Sequence, residues 1–99
     1  MGNREFLDVD PAGFHLPGSR RGGADLRKLQ RQFSRFGTST SGMPPLEVSR
    51  GNDGELVIND GVTRATRIAR YAPGAKVPVE IIDELPVPVG ALPTVGESL

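Results

Sequence analysis

Asp60-Gly61-Val62-Thr63-Arg64, with Arg67 one turn further on, is the run whose residue types and spacing suit chemistry on an anion. Where Asp60 closes a strand and Val62 opens a helix, the unpaired amides and partial positive charge of the helix N-terminus stabilise an anion without any side chain. Gly61 permits close backbone approach, Thr63 adds a hydroxyl donor, and Arg64 folds back to grip the same anion bidentately. Phosphate is the anion this arrangement favours, with Gly61, Thr63, Arg64 and Arg67 holding it. Asp60 caps the helix or, in a catalytic role, supplies a base or metal carboxylate beside Arg64. The plain alternative is that Gly61 only makes the turn and Arg64 pairs with a carboxylate.

A second basic feature is Arg27, Arg31 and Arg35, which recur every fourth residue and form a ridge suited to a nucleic-acid backbone. Stacking on bases is not expected, because the four Phe and one Tyr read mainly as core. The lone His15, between Phe14 and Leu16, reads as a surface or partly packed residue, since neither neighbour can orient it as a general base. The chain has no Cys, which removes disulfides, thiol nucleophiles and Cys-ligated zinc, and no metal site is expected from its residues.

The elements that must position these groups follow from periodicity. Phe6 to Asp10 alternates apolar and acidic residues, as an edge strand with one buried face does. Asp25 caps a helix carrying Leu26, Leu29, Phe33 and Phe36 on its apolar side, and Gly37 stops it. Leu46 to Arg50 and Glu55 to Ile58 flank a Gly51-Asn52-Asp53-Gly54 turn and read as a β-hairpin. A second helix starts after Gly61, with Val62, Ala65, Ile68 and Ala69 as its stripe, and Pro73-Gly74 breaks it. Val77 to Ile82 is a strand in which Pro78 marks an edge or a strand start. Residues 84–99 form a Pro-rich arm that packs on the domain or awaits a partner.

Composition bounds the class. Leu, Ile, Val and Phe supply 26 of 99 residues, above the roughly one fifth needed for a packed core. One ordered domain is expected, with an N-terminal strand and loop (1–24), a core (25–83) and the arm (84–99). No apolar run approaches membrane-span length and no secretory signal is evident, so a cytoplasmic location is expected. Twelve bases balance twelve acids, yet the charges are segregated. Residues 20–35 hold six bases against Asp25 alone, while the chain from Tyr71 holds Lys76 against Glu80, Asp83, Glu84 and Glu97. Those acids silence the basic face if they pair with it.

The order of these motifs resembles the ParB/sulfiredoxin-like superfamily, in particular the ParB N-terminal domain and small ParB-like nuclease domains. The residues that carry the likeness are Leu26, Leu29, Phe33 and Gly37; Pro45-Leu46-Glu47-Val48; Gly54 to Ile58; Gly61 and Arg64; and Val77-Pro78-Val79. The resemblance implies an α/β (α+β) fold with a small mixed sheet and two main helices. It also implies a Gly-x-x-Arg turn that binds a nucleotide or nucleic-acid phosphate, with nuclease or nucleotide-hydrolase activity as the chemistry and Mg²⁺ accompanying a nucleotide. Lack of Cys excludes sulfiredoxin-type reductase chemistry, and Val62 and Thr63 stand where many relatives carry His or a second Arg. With no helix-turn-helix segment after the fold, sequence-specific DNA reading is not expected. The competing class is a non-catalytic adaptor that contacts a protein through residues 85–99, whose deletion would then leave the melting temperature nearly unchanged.

Overall fold

The computed structural model describes residues 4–99, so the first three residues of the N-terminal segment lie outside it. Its elements are β1 (Glu5–Val9), α1 (Leu26–Phe36), β2 (Leu46–Arg50), β3 (Leu56–Asp60), α2 (Val62–Tyr71) and β4 (Val77–Glu84), with short 3₁₀ turns at Pro11–Gly13, Gly18–Arg20 and Gly96–Ser98. Local chemistry sets these bounds. The Asp25 carboxylate accepts from the amides of Arg27 (2.8 Å) and Lys28 (3.2 Å) and so caps α1. Gly37, at φ 58°, takes the chain out of the helix in a backbone region that side chains disfavour.

The four strands lie in the order β1-β4-β2-β3. β2 runs antiparallel to β3 and parallel to β4, and β4 runs antiparallel to β1, which makes the small mixed sheet of an α+β domain. The chain returns from β3 through α2, a crossover that parallel pairing of β2 and β4 demands. Val62, Ala65, Ile68 and Ala69 of α2 are buried and form one core with Leu46, Val48, Ile58, Val77, Val79 and Ile81 of the sheet. Each large apolar side chain so buried contributes about 1.5–3 kcal/mol. The opposite sheet face is open, with Phe6, Asp8 and Glu47 exposed.

Several expectations change. The apolar side of α1 is only partly covered: Leu29 is buried, but Leu26, Phe33 and Phe36 are 66%, 40% and 49% exposed. One helix crossing α2 cannot cover a stripe that wide, so these residues are not core. β1 is an edge strand as expected, yet it has no buried face; Phe6 and Leu7 are exposed and only Val9 packs against the core. β4 is interior rather than an edge, with Pro78 at its second position.

The flanking segments belong to the core. Phe14, Leu16 and Val95 are almost wholly buried in it, and Val89 is buried as well. Residues 14–16 lie between β3 and the C-terminal segment: the His15 amide donates to the Leu56 carbonyl (2.8 Å), Ile58 to His15 (3.0 Å), Leu16 to Pro93 (2.7 Å) and Val95 to Phe14 (2.8 Å). A C-terminal segment that can be removed at no cost in stability does not fit this packing. His15 is buried too. Its Nδ1 lies 2.7 Å from the Leu92 carbonyl and its Nε2 lies 3.0 Å from Glu55 Oε1, so both ring nitrogens face acceptors. Burial disfavours the charged ring, but the bonds to Glu55 and Leu92, with the charges of Glu55 and Asp53, outweigh it and raise the His15 pKa.

Candidate functional site

The turn from β3 into α2 is built by Gly61, the N-cap of the helix, at φ 111°. A Cβ there would lie 2.6 Å from Leu46 Cγ and 3.1 Å from Arg64 Nη2, so glycine is required by both backbone and space. That contact also shows that the Arg64 guanidinium folds back over the turn, as the sequence reading expects. Arg64 Nη1 donates to the Pro44 carbonyl at 2.8 Å, and Nη2 reaches Asp60 Oδ2 at 3.3 Å. Asp60 makes no cap: Gly61 occupies that position, and no side chain bonds the helix N-terminus. Asp60 instead is largely exposed, with Arg64 as its partner.

Arg64 and Arg67 lie one turn apart on α2 and line the same cavity, about 120 Å³ in volume, with Gln32 and Phe36 of α1 and Met43 and Pro44 of the loop between α1 and β2. That volume holds several waters or a small polar group. The loop earns its place through Arg67, whose Nη1 donates to the carbonyls of Gly37 (2.7 Å) and Ser39 (2.9 Å).

Arg67 is the unusual member. It is 3% exposed, and among the described residues no carboxylate lies within ion-pair distance of it. Its Nε is buried with no hydrogen-bond partner, and Gln32 Oε1 is the other buried side-chain atom in that condition. Burial pushes the Arg67 pKa down, yet a guanidinium keeps its proton even so. A fixed positive charge in a low-dielectric wall, matched by two neutral carbonyls and the face of the Phe36 ring, costs several kcal/mol relative to water, and an anion in the cavity would offset that cost. Two guanidiniums with N–H groups to spare thus line one cavity, a geometry in which they could donate to an anion.

The remaining candidates are placed apart. Thr63 is half-buried and does not line the cavity. Arg27, Arg31 and Arg35 are exposed along a shallow depression on α1 with Gln30 and Ser34. Among the described residues none of the three has an ion-pair partner. Two of the acids expected to silence them are engaged elsewhere: Glu80 holds Arg4 at 2.6 Å, and Glu84 holds Arg50 at 2.6 Å with Glu5 on its other side; Asp83 accepts only from the Glu84 amide among the described residues. Among the described residues no group of three carboxylates or imidazoles gathers to hold a metal ion. Gln32, Phe36, Met43 and Pro44 were not legible as site residues, because only the fold of the 37–44 loop brings them to α2.

No protein-family model matches the chain, and neither a curated protein nor a solved structure shows significant similarity to it. The ParB-like resemblance is therefore carried by its motifs and their order alone.

Proposed function

We propose that this domain binds a phosphate-bearing ligand, a nucleotide or a nucleic acid, in the cavity between α1 and α2, with Arg64 and Arg67 as its charged walls. The observation that carries this reading is Arg67: a buried guanidinium with a free Nε and no acid beside it, at the edge of a cavity of polyatomic-anion size. Gly61 lets Arg64 lie over the turn, so both guanidiniums reach one ligand group. The order of motifs that resembles ParB-like domains supports the same ligand class.

Binding is the primary role. Hydrolysis of a phosphodiester or nucleotide would draw on Asp60, the exposed carboxylate paired with Arg64, and on Arg64 to stabilise charge developing on phosphate. Asp60 is also the carboxylate that would help hold a Mg²⁺ ion accompanying a nucleotide, and such an ion would supply charge neutralisation on phosphate. The adaptor alternative loses its main support, since Val89 and Val95 of the C-terminal segment are buried in this domain rather than offered to a partner. Among the described residues no helix is long and apolar enough to cross a membrane.

Isothermal titration with pyrophosphate and with nucleoside triphosphates, with and without Mg²⁺, tests the proposal. Binding by the wild type that is lost in Arg64→Ala is the expected result. No binding by the wild type, or equal binding by the variant, overturns it.

A further inference from the structure

Four of the five aromatic side chains of this protein are exposed to a substantial degree, and only Phe14 is buried. Three of the exposed four gather where α1 meets the end of α2. Phe33 and Tyr71 stack with ring centroids 4.2 Å apart, and Phe36 lies one turn beyond Phe33. Guanidiniums lie over these rings: Arg35 and Arg67 at 5.3 and 5.5 Å from the Phe36 centroid, and Arg70 at 5.9 Å from that of Tyr71. Single exposed apolar residues need no explanation, but a contiguous aromatic patch bordered by one sign of charge marks a binding surface.

We infer that this aromatic surface is a stacking platform for single-stranded nucleic acid, with the Arg64–Arg67 cavity beside it as the seat of one phosphate; the inference rests on the phosphate-binding role proposed above. Charge selects a polyanion. Helix α1 carries Arg27, Lys28, Arg31 and Arg35 and no acid between Leu26 and Phe36, and Arg70 closes the far side. Ring geometry selects exposed bases, whose flat faces stack on Phe and Tyr while guanidiniums stack on them in turn. A duplex keeps its base faces inside the stack and gains nothing from the rings. A lipid surface fits poorly, because Leu29, on the apolar side of α1, is buried, so the helix cannot lay that side into a bilayer.

Phe36 joins the two parts of the site. It walls the cavity and also shares Arg67 with it, so a base on Phe36 would place its own phosphate near Arg64. Arg27 and Arg31 stand round the far side of α1 from Phe33 by helical geometry. They act on the polyanion through the field rather than at the stack.

The test is fluorescence anisotropy with a labelled oligothymidylate of about 12 nucleotides, within the span such surfaces cover, against a duplex of equal length and anionic phospholipid vesicles. Tighter binding of the single strand is expected. Phe33→Leu and Phe36→Leu keep an apolar side chain at half-exposed positions, so they fold, and each should weaken single-strand binding about tenfold; Phe33→Leu, which lies outside the cavity, should leave duplex binding unchanged. Arg27→Ala should lower the salt slope by about 0.7 with little loss of single-strand preference. The inference is overturned if the duplex binds as well as the single strand, if both Leu variants bind like the wild type, or if vesicles are bound and oligonucleotides are not. Pyrophosphate titration separates the two levels. Pyrophosphate binding that depends on Arg64, without oligonucleotide binding, removes the platform and leaves the seat. Binding of neither removes both.

Discussion

Arg4 and Arg50, on the sheet, and Arg64 and Arg67, at the helices, are the same residue in opposite surroundings. Arg4 forms a two-pronged pair with Glu80, at 2.6 and 2.9 Å, and Arg50 is gripped by both Glu84 and Glu5. These contacts hold the Glu80 and Glu84 carboxyls below their ordinary pKa values. The sheet end is closed as well by His15 against Glu55 and by Asp53, whose carboxylate accepts from the amides of Val89 and Gly90. At the helix end, among the described residues, Arg67 meets two carbonyls and the Phe36 ring but no carboxylate, two buried polar atoms lack partners, and three aromatic rings are exposed. Glu5, Glu80 and Glu84, a quarter of the chain's acids, are thus taken up by sheet arginines. The sheet half satisfies its charges within the fold, and the helix half leaves basic and aromatic groups that a ligand could use.

That contrast breaks first where it predicts the largest effects. Truncation after Leu85 removes Val89 and Val95 from the core and uncovers Phe14, so a loss of about 3 kcal/mol or more is expected, seen as a large drop in melting temperature. Val95→Ala should cost about 2 kcal/mol by the same argument and covers the case in which the truncated chain does not fold at all. A melting temperature unchanged in both would show that the sheet half is not the source of stability.

Next comes Arg64→Ala, which belongs to the other half. It should weaken pyrophosphate binding by about 1.5–3 kcal/mol, or roughly ten- to a hundredfold, while leaving the melting temperature close to that of the wild type. A stability loss as large as the loss of affinity would make Arg64 a structural residue rather than a binding one.

A pH series sharpens the sheet half. The folded His15 pKa is raised, so its contribution is fully present below the ordinary value of 6.5 and is lost as pH rises through the folded value. Thermal unfolding of the wild type should therefore show a fall in stability above pH 6.5 that His15→Asn lacks; parallel curves would show that folding does not shift the His15 pKa. Glu80 and Glu84 act with the opposite sign, stabilising above the ordinary carboxylate range and losing that contribution as pH falls through their lowered values. The smallest effect belongs to Arg50→Ala, since its ion pairs are solvent-screened: a slight destabilisation that disappears in high salt, with ligand binding unaltered.

Much of this was readable from local signals. Asp25 and Gly37 bracketed α1, the Gly51–Gly54 turn placed the hairpin, and Gly61 and Pro73 bounded α2, because capping and turn chemistry act within a few residues. Arg64 and Arg67 were found for the same reason, their spacing on one helix being fixed. Burial was the weaker part. Phe33 and Phe36 have the spacing of core residues, and nothing in periodicity says how much of a helix its neighbour will cover. His15 and Glu55 are 40 residues apart in the chain, and Arg67 meets carbonyls 28 and 30 residues away. Contacts at such distances depend on the whole topology and leave no local trace.

The strand-like pairing of residues 14–16 has a consequence for synthesis. His15 bonds across to β3, and its neighbours Phe14 and Leu16 bond to Val95 and Pro93, so residues 14–16 are completed only by residues 93–95 of the same domain. On the ribosome the interior cannot close until residue 95 has left the exit tunnel. Until then Leu16 and the inner face of the hairpin wait uncovered, and such nonlocal closure is slow. A nascent chain stalled before Pro93 is therefore the form of this domain most exposed to proteases and to aggregation.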